Sequence, residues 1–227
     1  DILTQNVMGA GCARVCPTGV LCEGACVRTA QEERPVRIGA LKRHATDWLF
    51  AAGVQLFQAG PASGKKIAVV GGGPAGLSCA HRLAMLGHAV TVFEARAKSG
   101  GLNEYGVAAY KVAGGIAQYE VDYLLAVGNI EVEFEKVLGR DITLAQLRHD
   151  YDAVFLGMGL AGVNELGIAE QNLDGVHDPI GYIDVLLQAK DLSALPAGPR
   201  IVVLRRRTPA LHIPYPPNPP RPARAPP

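Results

Sequence analysis

The sequence predicts an α/β fold, a parallel sheet with helices packed on its faces, and three observations predict it. Short apolar runs of strand length alternate with amphipathic helical patterns between residues 65 and about 195. A glycine-rich turn, Gly71-Gly72-Gly73-Pro74-Ala75-Gly76, joins the first such run to the first helix that follows it. Hydrophobic residues make up 48% of the 227 and charged residues 19%, which supplies a core and excludes disorder as a description of the whole chain.

Taken in order, residues 1–60 hold four cysteines and one amphipathic helix, with Leu41, Ala45, Trp48, Leu49 and Ala52 at helical spacing and Gly53 as its stop. Gly60, Pro61, Ser63 and Gly64 read as a short linker. The predicted strands are Lys66–Val70, Ala89–Phe93, Ile130–Phe134 and Ala153–Leu156. Between them Pro74–Leu86 and Ile116–Val127 read as helices, the second with Ile116, Tyr119, Tyr123, Leu124 and Val127 on one face. Asp178 followed by Pro179 starts another, because aspartate caps a helix and proline fits its first turn. Short apolar strands that alternate with helices form parallel sheets covered on both faces.

The character changes at Pro196. Eleven of the 16 prolines lie in the last 32 residues and no acid follows Asp191. Ile201–Leu204 reads as a strand ended by Arg205, Arg206 and Arg207. The prolyl tail beyond is expected to be disordered, since proline has no N–H to give a ladder. The chain thus divides into 1–60, 61–195 and 196–227.

Charge and hydropathy narrow the partners. A net charge of +1 gives no electrostatic case for nucleic acid or an anionic membrane. The longest uncharged apolar run, Ala153–Asn164, stops at 12 residues and carries three glycines, so no membrane span is expected. The chain opens at Asp1 with no basic-then-apolar signal pattern, which reads as the inside of a longer protein in a reducing cytoplasm.

The turn at 71–76 is G-x-G-x-x-G between a strand and a helix, the setting in which this pattern binds a dinucleotide. Gly71 makes the tight turn, Gly73 leaves the backbone open to a pyrophosphate, and Gly76 lets helix and strand approach. The helix N-terminus adds free N–H groups and partial positive charge, and Pro74 there loses only a donor that would be unpaired anyway. The second strand ends at Glu94, 23 residues after Gly71, where a carboxylate accepts from both ribose hydroxyls and repels a 2′-phosphate. FAD or NAD therefore suits this site better than NADP. The Gly100-Gly101-Leu102 loop, whose first glycine lies six positions after Glu94, resembles the Gly-Gly loop that flavoproteins place after this acid and favours FAD. Gly157-Met158-Gly159 resembles the second flavoprotein signature, with Met158 in place of threonine.

Cys12, Cys16, Cys22 and Cys26 fall within fifteen residues, and Cys79 stands alone. Disulfides, zinc and iron–sulfur ligation are all open to such a cluster. The Cys-x3-Cys spacing differs from zinc ribbons, and Cys16-Pro17 with clustered thiolates suits iron–sulfur. Cys79 reads as a small core residue. His44, His81, His88 and His149 lack ligand spacing and read as surface or locally satisfied side chains.

Cys12-Ala-Arg-Val-Cys16-Pro-Thr-Gly-Val-Leu-Cys22-Glu-Gly-Ala-Cys26-Val-Arg, Ile38-Gly-Ala-Leu-Lys-Arg and the glycine turn together resemble one family. It is that of the FAD and iron–sulfur electron-transfer subunit of bacterial NAD-dependent dihydropyrimidine dehydrogenase, close to the glutamate synthase small subunit. The resemblance implies a Rossmann-like FAD-binding domain preceded by part of an α-helical ferredoxin-like domain. It implies 4Fe–4S clusters, Cys16 and Cys22 serving one and Cys26 the other, with Cys12 at a position that need not ligate and Lys42 where relatives place a glutamine ligand. Gly71, Gly73, Pro74, Ala75 and Gly76 would take the pyrophosphate, Glu94 the ribose, and Gly101 and Leu102 would lie near the cofactor. Lys111 would be a phosphate contact and Leu138 would lie near the adenine.

The activity implied is passage of electrons from NAD(P)H through FAD and the clusters to a catalytic partner, an FMN-containing pyrimidine reductase. The glutamate synthase small subunit is the alternative within this class, and an inactive FAD-binding fragment the alternative outside it. The earlier cysteine segment and the nicotinamide domain that the resemblance implies are absent from this sequence. The chain is therefore expected to be a fragment, shifted out of frame near residue 205.

Overall fold

A computed structural model describes residues 1–160, 162–163, 167, 173–192, 195 and 202. The predicted strand at 201–204 and the prolyl tail lie outside these residues, apart from Val202. Two compact units divide the chain, one of Asp1–Glu104 with Lys111–Ala161 and one of Tyr105–Tyr110 with Gly162–Pro227.

The first unit opens with helices α1 (Ile2–Gln5), α2 (Gly9–Val15), α3 (Arg28–Glu32) and α4 (Ile38–Ala51). Its sheet is built from β1 (Lys66–Val70), β2 (Ala89–Phe93), β3 (Ile130–Glu133) and β4 (Ala153–Leu156). The four strands lie in the order β3-β2-β1-β4 and pair in parallel throughout. Helices α5 (Pro74–Met85), α6 (Leu102–Tyr105), α7 (Ile116–Leu125) and α8 (Leu144–Asp150) fill the connections. This is the α/β, Rossmann-like arrangement that the alternation predicts. Ala68, Val69 and Val70 of central β1 are all buried, because helices cover both faces of a parallel sheet.

Two packed layers flank the sheet. Val69, Ala80, Val90 and Val92 pack together on one side, and Ala68, Val70, Phe93 and Leu147 on the other. Cys79 of α5 packs against the first of these as a small apolar residue, and burial pushes its thiol up. The N-terminal helices join the same core: Leu3, Leu49, Phe57, Ala84 and Val127 form one cluster, and Met8 packs with Leu77, Val121 and Leu124.

The segment expected to be a linker is pinned down. Ala59, Gly60 and Ser63 donate backbone N–H groups to the carbonyls of Val127, Ala84 and Gly87. Capping is chemical where the sequence offers it. Thr143 and Gln146 form a reciprocal capping box at α8. In the second unit the Asp178 carboxylate accepts from Gly181 N–H at 2.7 Å and starts α9 (Pro179–Gln188), as predicted.

Two helix faces differ from expectation. In α7 the buried residues are Ile116, Ala117, Glu120, Val121 and Leu124, whereas Tyr119 is 61% exposed. The face turns because a carboxylate, Glu120, has buried partners. In α4 the buried residues are Gly39, Thr46 and Leu49, and Leu41, Ala45 and Trp48 face outward. Thr46 can be buried because its hydroxyl donates back to the carbonyls of Lys42 and Arg43. His81 also differs: it is 3% exposed, stacked edge-on to Phe57, and its Nε2 has no partner among the described residues.

Candidate functional site

The glycine turn lies where β1 gives way to α5, and each glycine there answers to a different contact. Gly71 has φ +104°, a left-handed value that glycine reaches without a steric penalty. At Gly76 a Cβ would drive into the Gly71 carbonyl oxygen, so only glycine lets α5 start this close to the strand. At Gly73 a Cβ would meet only the Gly101 Cα, at 3.6 Å. A Cβ on Gly101 would in turn fall 2.8 Å from Gly73 Cα, so the two glycines bring side-chain-free backbone into close contact. Gly73 is the N-cap of α5 and no side chain caps it, so Ala75 and Gly76 lie in a first turn that receives no side-chain cap. Pro74 occupies the first helical position.

Glu94 follows β2 directly and is 8% exposed. Its Oε2 accepts from Gly72 N–H at 2.7 Å and its Oε1 from Arg96 N–H at 2.9 Å. The carboxylate is held against the turn, with lone pairs left over for further donors. Gly100 closes the arrangement by donating its N–H to Gly72 O at 2.7 Å. Gly100 and Gly101 both have positive φ, 123° and 54°, and Leu102 begins α6 with its side chain exposed. The buried hydroxyl of Ser99 lies beside Gly72 and Glu94 and has no partner among the described residues.

The remaining positions spread around this turn. Leu138 packs against the layer that contains Phe93 and Leu147, beyond β3. Lys111 is half-buried in the turn segment before α7. Gly157 serves close approach: its N–H donates to Val70 O at 2.7 Å, and a Cβ on Gly71 would fall 2.5 Å from its oxygen. Met158 after it is exposed. A recess of about 360 Å³ is lined by α8 and β4 and holds none of the turn glycines.

Cys12 and Cys16 lie one helical turn apart at the end of α2. Burial pushes the Cys16 thiol up, and the neighbouring thiols of Cys12 and Cys22 push the same way. Lys42 of α4 donates from Nζ to Cys12 Sγ at 3.3 Å. Cys26 stands apart: Val36 N–H donates to its Sγ at 3.4 Å, and backbone donors from Val36, Arg28 and Thr29 pull its thiol below the ordinary value. All five cysteines are free, and among the described residues no three His, Cys, Asp or Glu side chains converge as a preformed metal site.

Three polar residues that sequence reasoning passed over organise this region. Arg14 is buried and bonds Asp47 of α4 at 2.5 Å, which fastens α2 to α4. Glu120 of α7 bonds the backbone at the start of α2. The i,i+4 pair of Arg43 with Asp47 was the one local signal available; the others span long sequence separations.

Residues 1–54 match the family model described as dihydropyrimidine dehydrogenase domain II, 4Fe-4S cluster, and residues 69–130 match the NAD(P)-binding Rossmann-like domain. An NAD-dependent dihydropyrimidine dehydrogenase subunit PreT from Salmonella typhimurium is 34% identical over 171 residues, 75% of this chain and 41% of that protein. The glutamate synthase [NADPH] small chain of Escherichia coli is 35% identical over 179 residues, 78% of this chain and 38% of that protein. Among solved structures, FprA of Mycobacterium tuberculosis in complex with NADPH aligns at a TM-score of 0.45 and 22% identity, over 53% of this chain and 28% of that one. The chain spans about two fifths of the length of the curated relatives named here. Over that span it is similar to both the dihydropyrimidine dehydrogenase NAD-dependent subunits and the glutamate synthase small chains.

Proposed function

We propose that this chain is the thiol-bearing and flavin-binding part of an oxidoreductase subunit that passes electrons from NAD(P)H through FAD and 4Fe–4S clusters to a partner subunit. The observation that carries this reading is the turn itself. Gly73 and Gly101 present bare backbone to each other, the start of α5 is uncapped by any side chain, and Glu94 is buried against Gly72. A diphosphate fits such a helix start, and a ribose diol fits the remaining lone pairs of Glu94.

In this reading Gly71, Gly73, Pro74, Ala75 and Gly76 hold the pyrophosphate, Glu94 the ribose, and Gly101 and Leu102 the face of the cofactor. Lys111 contacts phosphate and Leu138 lies by the adenine. Cys16 and Cys22 ligate one cluster and Cys26 the other, while Cys12 is a neighbour of the first. The helical thiol-bearing domain would span residues 1–60 and the half of the flavin domain residues 61–195. When bound, FAD takes two electrons as hydride and passes them on singly, and iron–sulfur clusters carry single electrons. What the chain's own residues do is bind and orient: the N–H groups of the turn fix the phosphates, and the thiols of α2 and the loop after it supply soft ligands. A reducing cytoplasm keeps such thiols available.

The partner in the leading reading is an FMN-containing pyrimidine reductase, and the observation favouring it is the match of residues 1–54 to a dihydropyrimidine dehydrogenase domain. The second reading, a glutamate synthase partner, is favoured by the 35% identity to that small chain. Assaying the full-length protein with each partner separates them: reduction of a pyrimidine supports the first, glutamate formation the second.

The test of the flavin reading is direct. The purified chain incubated with FAD and desalted is expected to keep the two visible flavin bands. Glu94→Ala should weaken retention by about tenfold or more, the scale of losing a charge-assisted hydrogen bond. A chain that binds zinc yet stays colourless after exposure to FAD would overturn the proposal.

A further inference from the structure

One buried carboxylate has no part in the electron route described above. Glu120 of α7 is 1% exposed. Its Oε1 accepts from Ala10 N–H at 2.8 Å and from Gly11 N–H at 2.9 Å, and its Oε2 lies 3.1 Å from the same Gly11 nitrogen. These donors belong to the first turn of α2, which no side chain of its own N-cap, Met8, satisfies. Burial raises the carboxyl's pKa, and the N–H groups of Gly11 and Ala10, with the Arg14 guanidinium, oppose that rise. A leucine would fill the space without the cost of burying a carboxylate, so the polar group has work that packing alone does not give it.

What Glu120 grips is the helix that carries the thiols. Cys12 lies within α2 and Cys16 caps its C-terminus. Arg14 ties α2 to α4, and Glu23 accepts from Gly39 N–H of α4 at 2.9 Å, so the Cys22 loop moves with the same pair of helices. At its other end the grip reaches the cofactor loop. A Cβ on Gly11 would meet Glu120 Oε2 at 2.5 Å and Asn103 Nδ2 at 2.7 Å. Asn103 lies in α6, directly after Gly100-Gly101-Leu102. One residue of α2 is therefore wedged between α7 and the loop that faces the glycine turn.

We propose that Glu120 is a positioning residue that clasps α2, so that the thiol string is held at one fixed distance from the nucleotide turn at residues 71–76. Electron tunnelling falls off steeply with distance, and a hinge at this joint would vary that distance. The purpose rests on the electron-transfer reading, but the clasp itself rests on the contacts alone. Met8 stays seated on Leu77, Val121 and Leu124 whatever occupies position 120, so loss of the clasp loosens α2 without removing the core beneath it.

The test maps thiol reactivity in the chain as it stands. Under native conditions, alkylation followed by mass spectrometry reads each cysteine separately. Glu120→Ala is expected to speed labelling of Cys12 and Cys16 by about tenfold or more, the scale of releasing charge-assisted hydrogen bonds. Cys79, in α5, should keep its rate and serves as the control for general unfolding. Glu120→Gln keeps one acceptor and should restore most of the protection. Gly11→Ala, which forces the same joint apart without touching the charge, should imitate Glu120→Ala. Unchanged labelling of Cys12 and Cys16, or an equal rise at Cys79, overturns the proposal.

A second readout addresses distance. Energy transfer is measured from bound FAD to a dye on the exposed Cys22, in a background with the other four cysteines changed to serine. Transfer efficiency should differ between the wild-type residue and Glu120→Ala and return toward the original value in Glu120→Gln. Equal efficiency in all three overturns the positioning role. Failure to retain FAD would instead count against the flavin reading, and the labelling experiment would still decide whether the clasp exists.

Discussion

Two glycines three positions apart in the same turn should fail in different ways when mutated. Gly76→Ala places a methyl group against the Gly71 carbonyl oxygen, so strand and helix must part. It is expected to lower the melting temperature by several degrees, the scale of an overpacking cost of about 1–3 kcal/mol. Gly73 has φ −81° and ψ −177°, which alanine adopts, and its Cβ would touch only Gly101 Cα. Gly73→Ala should therefore leave the thermal melt within a few degrees of wild type; under the proposed flavin reading it should weaken FAD retention by about tenfold or more, because a methyl group replaces the bare backbone offered to the pyrophosphate. If both variants lost stability equally, the distinction between a packing glycine and a ligand-facing glycine would be wrong. His81 yields a pH prediction at the same scale. Burial, with repulsion from Arg82, lowers its pKa below the ordinary 6.5. The unfolded chain takes up a proton as pH falls through that value, whereas the folded chain does so only at a lower pH. The neutral ring's stability contribution is thus complete above 6.5 and is lost as pH falls toward the folded pKa. Melting temperatures followed from about pH 8 to pH 5 should fall more steeply for wild type than for His81→Leu; parallel curves would rule this out.

At the level of elements, the strands were legible because a parallel sheet buried on both faces needs continuous apolar runs, and Lys66–Val70 and Ala89–Phe93 are such runs. Helix positions were legible for the same reason of period, while helix faces were less so. Periodicity assigns buried positions to apolar residues, and in α7 the deepest positions include Glu120. In α4 the interior takes Thr46 and leaves Trp48 64% exposed. Both exceptions are polar groups whose partners lie on another element or on the preceding turn, which a periodic pattern does not record. The consequence can be measured. Leu124 is fully buried, and Leu124→Ala should destabilise the chain by about 2–5 kcal/mol in denaturant unfolding. Tyr119→Ala, on the face that the pattern alone would have buried, should stay within about 0.5 kcal/mol of wild type. A large loss at Tyr119 would mean that the helix is turned the other way.

Across the whole molecule, the first unit binds a thiol-bearing helical segment and a nucleotide-binding sheet into one core rather than stringing them on a linker. Phe57, between the end of α4 and the stretch that composition assigns to a linker, packs with Leu49 from α4, Ala84 from α5 and Val127 beyond α7. The expected consequence is a single cooperative transition: thermal melts followed by helix signal and by the lone Trp48, which reports on the helical segment, should coincide. Separate transitions would show that residues 1–60 unfold independently of the sheet. What the sequence determined by itself was everything set by neighbours along the chain: strand and helix periods, the glycine turn with its helix start, the acid at the end of the second strand, and the string of thiols. Only the tertiary structure decided which of these meet. It placed Glu94 on Gly72, Lys42 on Cys12 and Glu120 on the start of α2. The physical reason is that a buried polar group is fixed by its partner in space, and with 110 residues between Ala10 and Glu120 no local pattern carries that pairing.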